Sequence, residues 1–383
     1  MSLASPTRAV HNLALAREKR SEDPTLALRI ADYVRKWQGE AEAAQALMEE
    51  IIADRRVLFY HTLLRGHDRF VFSVAFSPNG QELVSTGADQ ALRRWRVDGH
   101  PLFVVKQNAI TAVFSPGGQT ILASNNDQGL LLDLGGDLQM ALPRGDSKIT
   151  SVAFSPDGNL MLTGDRDGAA RLFNREGSEV LKIYGKARKV FSVAFHPSGQ
   201  YFLTGNFDTM NATLWDLKGN QIQAFNGHES IVFGVAFSPD GQWVLTGSRD
   251  KTVRLWDMQG RELLQVKRDI MSVVSTHSIA FSPHSNSFLT ADREQTAAWY
   301  DLSGQVIAFL PGAYGCNAIA FSPDGQHIAT GDLDHFIRIW STQSRQDLAI
   351  GIDDFLEKYV CHFTPEELAK AGMLLELEDL PPA

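Results

Sequence analysis

Between residues 57 and 346, short apolar runs with a two-residue rhythm alternate with turn-forming residues. Val71-Phe72-Ser73-Val74-Ala75-Phe76 suits a pleated strand, and the Ser-Pro-Asn-Gly that follows suits a tight turn. The unit recurs seven times, as AFSPNG from Ala75, VFSPGG from Val113, AFSPDG from Ala153, AFHPSG from Ala194, AFSPDG from Ala236, AFSPHS from Ala280 and AFSPDG from Ala320. Successive spacings are 38, 40, 41, 42, 44 and 40 residues. After each hairpin turn a second strand is predicted (GQWVLTGS, 241–248), then a turn carrying an Asp, a third strand (TVRLWD, 252–257), Gly260, and a fourth near 262–267.

Seven such units predict an all-β fold, a seven-bladed β-propeller of four-stranded antiparallel blades. The chain resembles the WD-repeat family in its period, in Gly66-His67 and Gly227-His228 before a first strand, and in Trp215-Asp216 and Trp256-Asp257 ending a third. Trp95, Phe173, Tyr300 and Trp340 fill the aromatic slot of other blades, whereas Asp133 departs from it in the second. The resemblance implies a buried polar network in each complete blade. In the fifth it would join His228, Thr246 or Ser248, Asp250 and Trp256; in the first, His67, Ser85 or Thr86, Asp89 and Trp95. The turn acid recurs at Asp127, Asp167, Asp208, Asp334 and as Glu294. The second and sixth blades, without Gly-His, are expected to be the least rigid. Segment 57–64 (VLFYHTLL) resembles the fourth strands and is expected to close the ring by completing the seventh blade, so that no sheet edge is left open between first and last blades.

Helical periodicity flanks the ring. Asp23-Pro24 reads as a helix start, with Leu26, Ile30, Tyr33, Val34 and Trp37 on one stripe, and a second helix over about 41–55 aligns Ala44, Leu47, Met48, Ile51 and Ile52. After the ring, Leu348, Ile352, Phe355, Leu356, Tyr359 and Val360 form a stripe, and Thr364-Pro365-Glu366-Glu367 reads as a capping box. The expected organisation is a helical extension over 1–56, the propeller over 57–346 and an acidic helical tail over 347–383. DPTLAL (23–28) and FTPEEL (363–368) around such a ring resemble the C-terminal part of bacterial multidomain signalling NTPases. The chain lacks a GxxxxGK[ST] phosphate loop, so that resemblance implies a sensor or scaffold acting on a separately encoded signalling or NTPase subunit.

Of the net charge of −9, the tail carries −7, residues 1–56 carry none, and the ring carries −2. A near-neutral ring argues against a broad nucleic-acid surface. Two cysteines, no run of about 20 apolar residues and no cleavable leader pattern point to a reducing, cytoplasmic setting without membrane spans. The eleven histidines are scattered, with no HExxH, CxxC, GxSxG or GxGxxG, so no catalytic, metal or cofactor site is assigned. His67 and His228 read as network residues. Gly185-Lys186 reads as a decayed Gly-His, and Arg144-Gly145-Asp146 as a chance triplet.

The informative positions are those the family places on the ring's narrow face. They are Phe70, Phe72, Lys148, Thr150, Lys189, Phe191, Ile231, Phe233, Ser275 and His277, and before the turn acids Arg166, Phe207, Arg249 and Arg293. Aromatic and basic residues of this kind dominate interface hot spots; packing between blades is the competing reading for the phenylalanines. The expected function is a non-enzymatic protein-interaction scaffold or sensor that binds an acidic, aromatic-containing peptide. The alternatives are a propeller hydrolase or isomerase with its site at the channel mouth, or a single-stranded RNA binder.

Overall fold

The computed structural model describes residues 6–38, 40–54, 56–125, 127–143, 147–185, 189–267, 278–291, 297–311, 315–345, 352–360, 362–363 and 365–372. Arg144, Gly145, Asp146, Lys186, Ser275, His277, Arg293, Glu294, Leu348, Cys361 and Thr364 lie outside the described residues. The chain forms two compact units, one of Leu64–Ile307 with Tyr314–Arg338, the other of Met1–Leu63, Ala308–Ala313 and Ile339–Ala383.

Among the described residues, twenty-eight strands form seven four-stranded antiparallel sheets, a seven-bladed β-propeller. Strands within a blade are lettered a to d. The fifth blade comprises Val232–Phe237, Trp243–Ser248, Thr252–Asp257 and Glu262–Lys267. The other a strands are Val71–Phe76, Ala109–Phe114, Ile149–Phe154, Val190–Phe195, Ile279–Phe281 and Cys316–Phe321. Six sheets follow chain order. In the seventh, Cys316–Phe321, His327–Asp332 and Ile337–Ser341 are followed by Tyr60–Leu64, so the N-terminal strand is its d strand.

The Ser-Pro-Asp-Gly turn recurs because each of its parts has a bond to make. Ser238 Oγ donates to Asp240 Oδ1 at 2.6 Å and accepts from Trp243 N–H at 2.9 Å, closing the a–b hairpin from inside. Gly241 sits at φ +72°, a left-handed conformation that a Cβ disfavours. Between blades, Thr86 Oγ1 donates to Ile110 O (2.7 Å), Thr150 Oγ1 to Val190 O (2.6 Å) and Asn317 Nδ2 to Val71 O (3.0 Å), the last joining the seventh blade to the first.

Among the described residues of the other unit, the α-helices α1 (Pro6–Lys19), α2 (Pro24–Trp37), α3 (Ala41–Ile52), α4 (Ile352–Tyr359) and α5 (Pro365–Lys370) share one core. Asp23 caps α2 by accepting Leu26 N–H at 3.0 Å. Ile30, Val34, Leu47, Met48 and Ile51 meet Phe355, Leu356 and Val360, and Arg29 donates to the carbonyls of Leu356 and Val360 at the C-terminal end of α4. Tyr60 donates its hydroxyl to Asp23 at 2.8 Å and stands edge-on to Trp340. The helix α1 was not predicted. Its buried face holds two alanines, Ala9 and Ala16, the polar Asn12 and a single large apolar residue, Leu13, which gives a weak apolar contrast.

Candidate functional site

Where the d strand meets the next a strand, the first and fifth blades hold a four-residue clasp. His67 Nδ1 lies 2.9 Å from Asp89 Oδ1 and its Nε2 lies 2.8 Å from Ser85 Oγ, which accepts Trp95 Nε1–H at 2.9 Å. Burial pushes the His67 pKa down, against the pull of Asp89, so the ring is neutral at pH 7. A neutral ring satisfies every group in the chain: Trp95 N–H to Ser85, Ser85 O–H to His67 Nε2, His67 Nδ1–H to Asp89. In the fifth blade His228 stands 2.7 Å from Asp250 and 2.7 Å from Thr246 Oγ1, which accepts Trp256 Nε1–H at 2.8 Å. Burial works against ionisation of Asp89 and Asp250. Even so, bonds to His67 and Ala91 N–H, and to His228, Thr252 and Glu229 N–H, hold both carboxyls below the ordinary range. Of the two hydroxyls open in each blade, the clasp uses Ser85 and Thr246. Thr86 faces the next blade, and Ser248 donates to Ser230 O. Gly227 is favoured by its φ of +151° and because a Cβ there would stand 3.1 Å from the buried Trp256 ring and displace the end of Arg254.

The third and seventh blades carry a second clasp that sequence reasoning missed. Asp332, fully buried, pairs with Arg338 at 2.6 Å and accepts the Thr330 hydroxyl, while Asp334 holds the other guanidinium nitrogen at 2.6 Å. In the third blade Arg171 pairs with Asp165 and, at 3.2 Å, with Asp167. Asp165 and Asp332 stand two residues before the turn acid, where the first and fifth blades have Gly87 and Ser248. In the first blade a Cβ on Gly87 would lie 2.6 Å from His67 Nδ1, so a larger side chain at that position there would crowd the imidazole. Loss of Gly-His is therefore not confined to the second and sixth blades, and in the third and seventh an Asp–Arg pair replaces it. Burial raises the Asp332 pKa to about 7, with Arg338 opposing and Asp334 adding to the rise.

The positions assigned to partner binding sit at the end of the blades opposite the Ser-Pro-Asp-Gly hairpins. Backbone bonds pair them across strands a and b: Arg166 N to Lys148 O, Phe207 N to Lys189 O and Arg249 N to Ile231 O, at 2.9, 3.1 and 2.9 Å. Phe191, half-buried, stands edge-on to Phe233 of the next blade (5.2 Å) and near Phe207 (5.8 Å), with Lys189 Nζ 4.7 Å from the Phe207 ring centre. Phe233 is only 4% exposed, so it backs the cluster from below. Lys148, Arg166 and Arg249 are exposed. Phe72 packs edge-on against Phe70 in the first blade, apart from the others. The hairpin end encloses a cavity of about 560 Å³ lined by a-strand and turn residues such as Ala75, Phe76, Pro78, Val113 and Phe237. Every side chain lining it is apolar or a serine.

Segments 59–96, 137–174, 177–216, 219–257 and 304–341 match the family model described as WD domain, G-beta repeat, and together they span half of the chain. The unmatched stretches between them include 97–136 and 258–303, which hold the a to c strands of the second and sixth blades. Each matched repeat runs from a d strand to the c strand of the following blade. The first repeat therefore begins on Tyr60–Leu64, the strand that the seventh sheet takes up. Over 121 residues the chain is 29% identical to an uncharacterized WD repeat-containing protein of Synechocystis, covering 31% of this chain and 36% of that protein. Over 137 residues it is 26% identical to the WD repeat-containing protein 26 homolog of Arabidopsis thaliana, covering 34% and 23% respectively. The chain thus aligns with well under half the length of these relatives. With seven four-stranded blades, two His-centred clasps and five matched repeats, the chain belongs to the WD-repeat family.

Proposed function

We propose that the chain is a non-enzymatic interaction module that captures an acidic, aromatic-containing segment of a protein partner at the Phe191–Phe207–Phe233 corner of its ring. WD-repeat propellers are in general platforms for proteins and peptides, and one observation carries the finer reading. Half-buried Phe191 stands between half-buried Phe207 and the buried Phe233 of the next blade, with Lys189 over the Phe207 ring and exposed Arg249 beside the next first strand. A rigid aromatic anchor rimmed by cations is the composition of an interface hot spot. Histidines and acids that an enzyme would need at a channel mouth are engaged in the clasps instead, His67 and His228 with Asp89 and Asp250.

Selection of a random displayed peptide library on the folded protein tests this. Enrichment of peptides with Asp or Glu flanking Phe, Tyr or Trp, lost on Phe191→Ala, supports it. Enrichment without acidic residues, or insensitive to Phe191→Ala, contradicts it. Tight binding of poly(U) with a steep salt dependence would favour the single-stranded RNA reading. The layout of DPTLAL (23–28) and FTPEEL (363–368) around the ring supports a separately encoded signalling or NTPase subunit as the source of that segment. The buried free thiol of Cys316 suits a reducing, cytoplasmic setting.

A further inference from the structure

At the hairpin end the ring keeps a space that larger side chains could have filled. The residue before the Phe that ends each a strand is alanine in six blades and Val113 in the second. All seven are half-buried, and with the seven phenylalanines they wall the cavity of about 560 Å³. Val113 shows that a larger side chain is accommodated at this position, so crowding near the axis does not by itself impose alanine. All seven hairpin turns at this end are among the described residues.

The chemistry of the wall is apolar throughout. Among the described residues no charged side chain lines the cavity, and the oxygens of its four serines are engaged in the fold. Ser115 and Ser322 Oγ accept Thr120 and His327 N–H inside their own hairpins, at 3.1 and 2.9 Å. Ser151 and Ser192 Oγ accept Val193 and Val235 N–H of the following blade, both at 3.2 Å. Phe76, Phe154, Phe195 and Phe321 are only half-buried, so an apolar occupant would take further ring surface out of water, which is favourable.

We propose that this cavity binds an uncharged, predominantly apolar small molecule. Its volume equals that of about 19 waters at ~30 Å³ each, which sets the ligand at no more than about 20 non-hydrogen atoms. That volume falls within the ~300–1,000 Å³ range of small-molecule pockets. A charged group carried down to this wall would lose its water and gain no counter-ion. The site lies at the opposite end of the blades from the Phe191–Phe207–Phe233 corner and does not depend on what binds there.

Titration of the full chain with the uncharged fluorophore phenylnaphthylamine, followed by displacement with butanol, hexanol and octanol, tests the site. The expected result is a saturable rise in fluorescence with a single probe per chain, and displacement that tightens about fourfold for each methylene added. The variant Ala153→Val/Ala194→Val/Ala236→Val, patterned on the native Val113, is expected to weaken probe binding by about tenfold or more with its melting curve preserved. Ala236→Leu alone carries the comparison if the triple variant does not fold. A rise that does not saturate, or a gain below about twofold per methylene, would overturn the proposal. Equal binding by the filled variants and the wild type would overturn it too, and would place the probe on exposed outer-strand residues such as Leu102 and Val104.

Discussion

Replacing Thr246 by Val keeps the shape of the side chain and removes one hydroxyl from the centre of the fifth-blade clasp. That oxygen accepts Trp256 Nε1–H at 2.8 Å and bonds His228 Nε2 at 2.7 Å, and all three residues are at least nine-tenths buried. The valine leaves an indole donor and an imidazole nitrogen without a partner or water. Each orphaned buried group costs about 1–3 kcal/mol, so the expected loss for the two is about 2–6 kcal/mol. The control is Ser248→Ala, two residues away. Its hydroxyl accepts Asp250 N–H at 3.1 Å and donates to Ser230 O at 3.2 Å without touching the indole or the imidazole, and its loss is expected to cost about 1 kcal/mol. Urea unfolding followed by tryptophan fluorescence and far-UV circular dichroism measures both. A Thr246→Val loss below about 1 kcal/mol, or no larger than that of Ser248→Ala, would refute the clasp as a unit of stability.

Arg171→Met strands Asp165 and Asp167 and is expected to cost about 3–5 kcal/mol in equilibrium unfolding; a near-neutral variant would show that the second clasp does not hold its blade. The two clasp types differ in pH response. His67, with its pKa lowered, lends stability that falls away as pH drops below 6.5, and the depressed Asp89 and Asp250 lose theirs as pH falls through and below 3.8. Asp332, raised to about 7, works in the opposite sense, losing stability as pH climbs from 3.8 through about 7. Melting curves across that range are expected to show Asp332→Asn flattening the high-pH loss, and an unchanged profile would contradict the assignment. Deleting residues 1–64 removes the d strand of the seventh sheet and the Tyr60–Asp23 bond, and is expected to yield insoluble or early-melting protein; unchanged melting would refute closure by this strand.

Blade number was legible because Ser-Pro-Asp-Gly has one structural use and recurs at a fixed period. The choice between Ser85 and Thr86 was not, since neighbours in a strand face opposite sides and either hydroxyl suits a buried position. Asp165 and Asp332 left a faint trace, an extra acid two residues before the turn acid in blades without Gly-His. Its meaning depends on the closeness of that position to the imidazole of the first blade, which arises only in the folded blade. The same holds at the aromatic corner. Phe72, Phe191 and Phe233 all occupy the second position of an a strand, yet Phe233 is buried because Phe191 of the preceding blade lies against it.

The measurement that bears most directly on the binding role is titration of a library-selected acidic aromatic peptide into wild type, Phe191→Ala and Lys189→Ala, each verified as folded by its melting curve. Loss of about 2 kcal/mol or more at Phe191, with a smaller loss at Lys189 that fades at high salt, is the expected outcome. Equal affinity for all three proteins would contradict the assignment of this corner as the partner site.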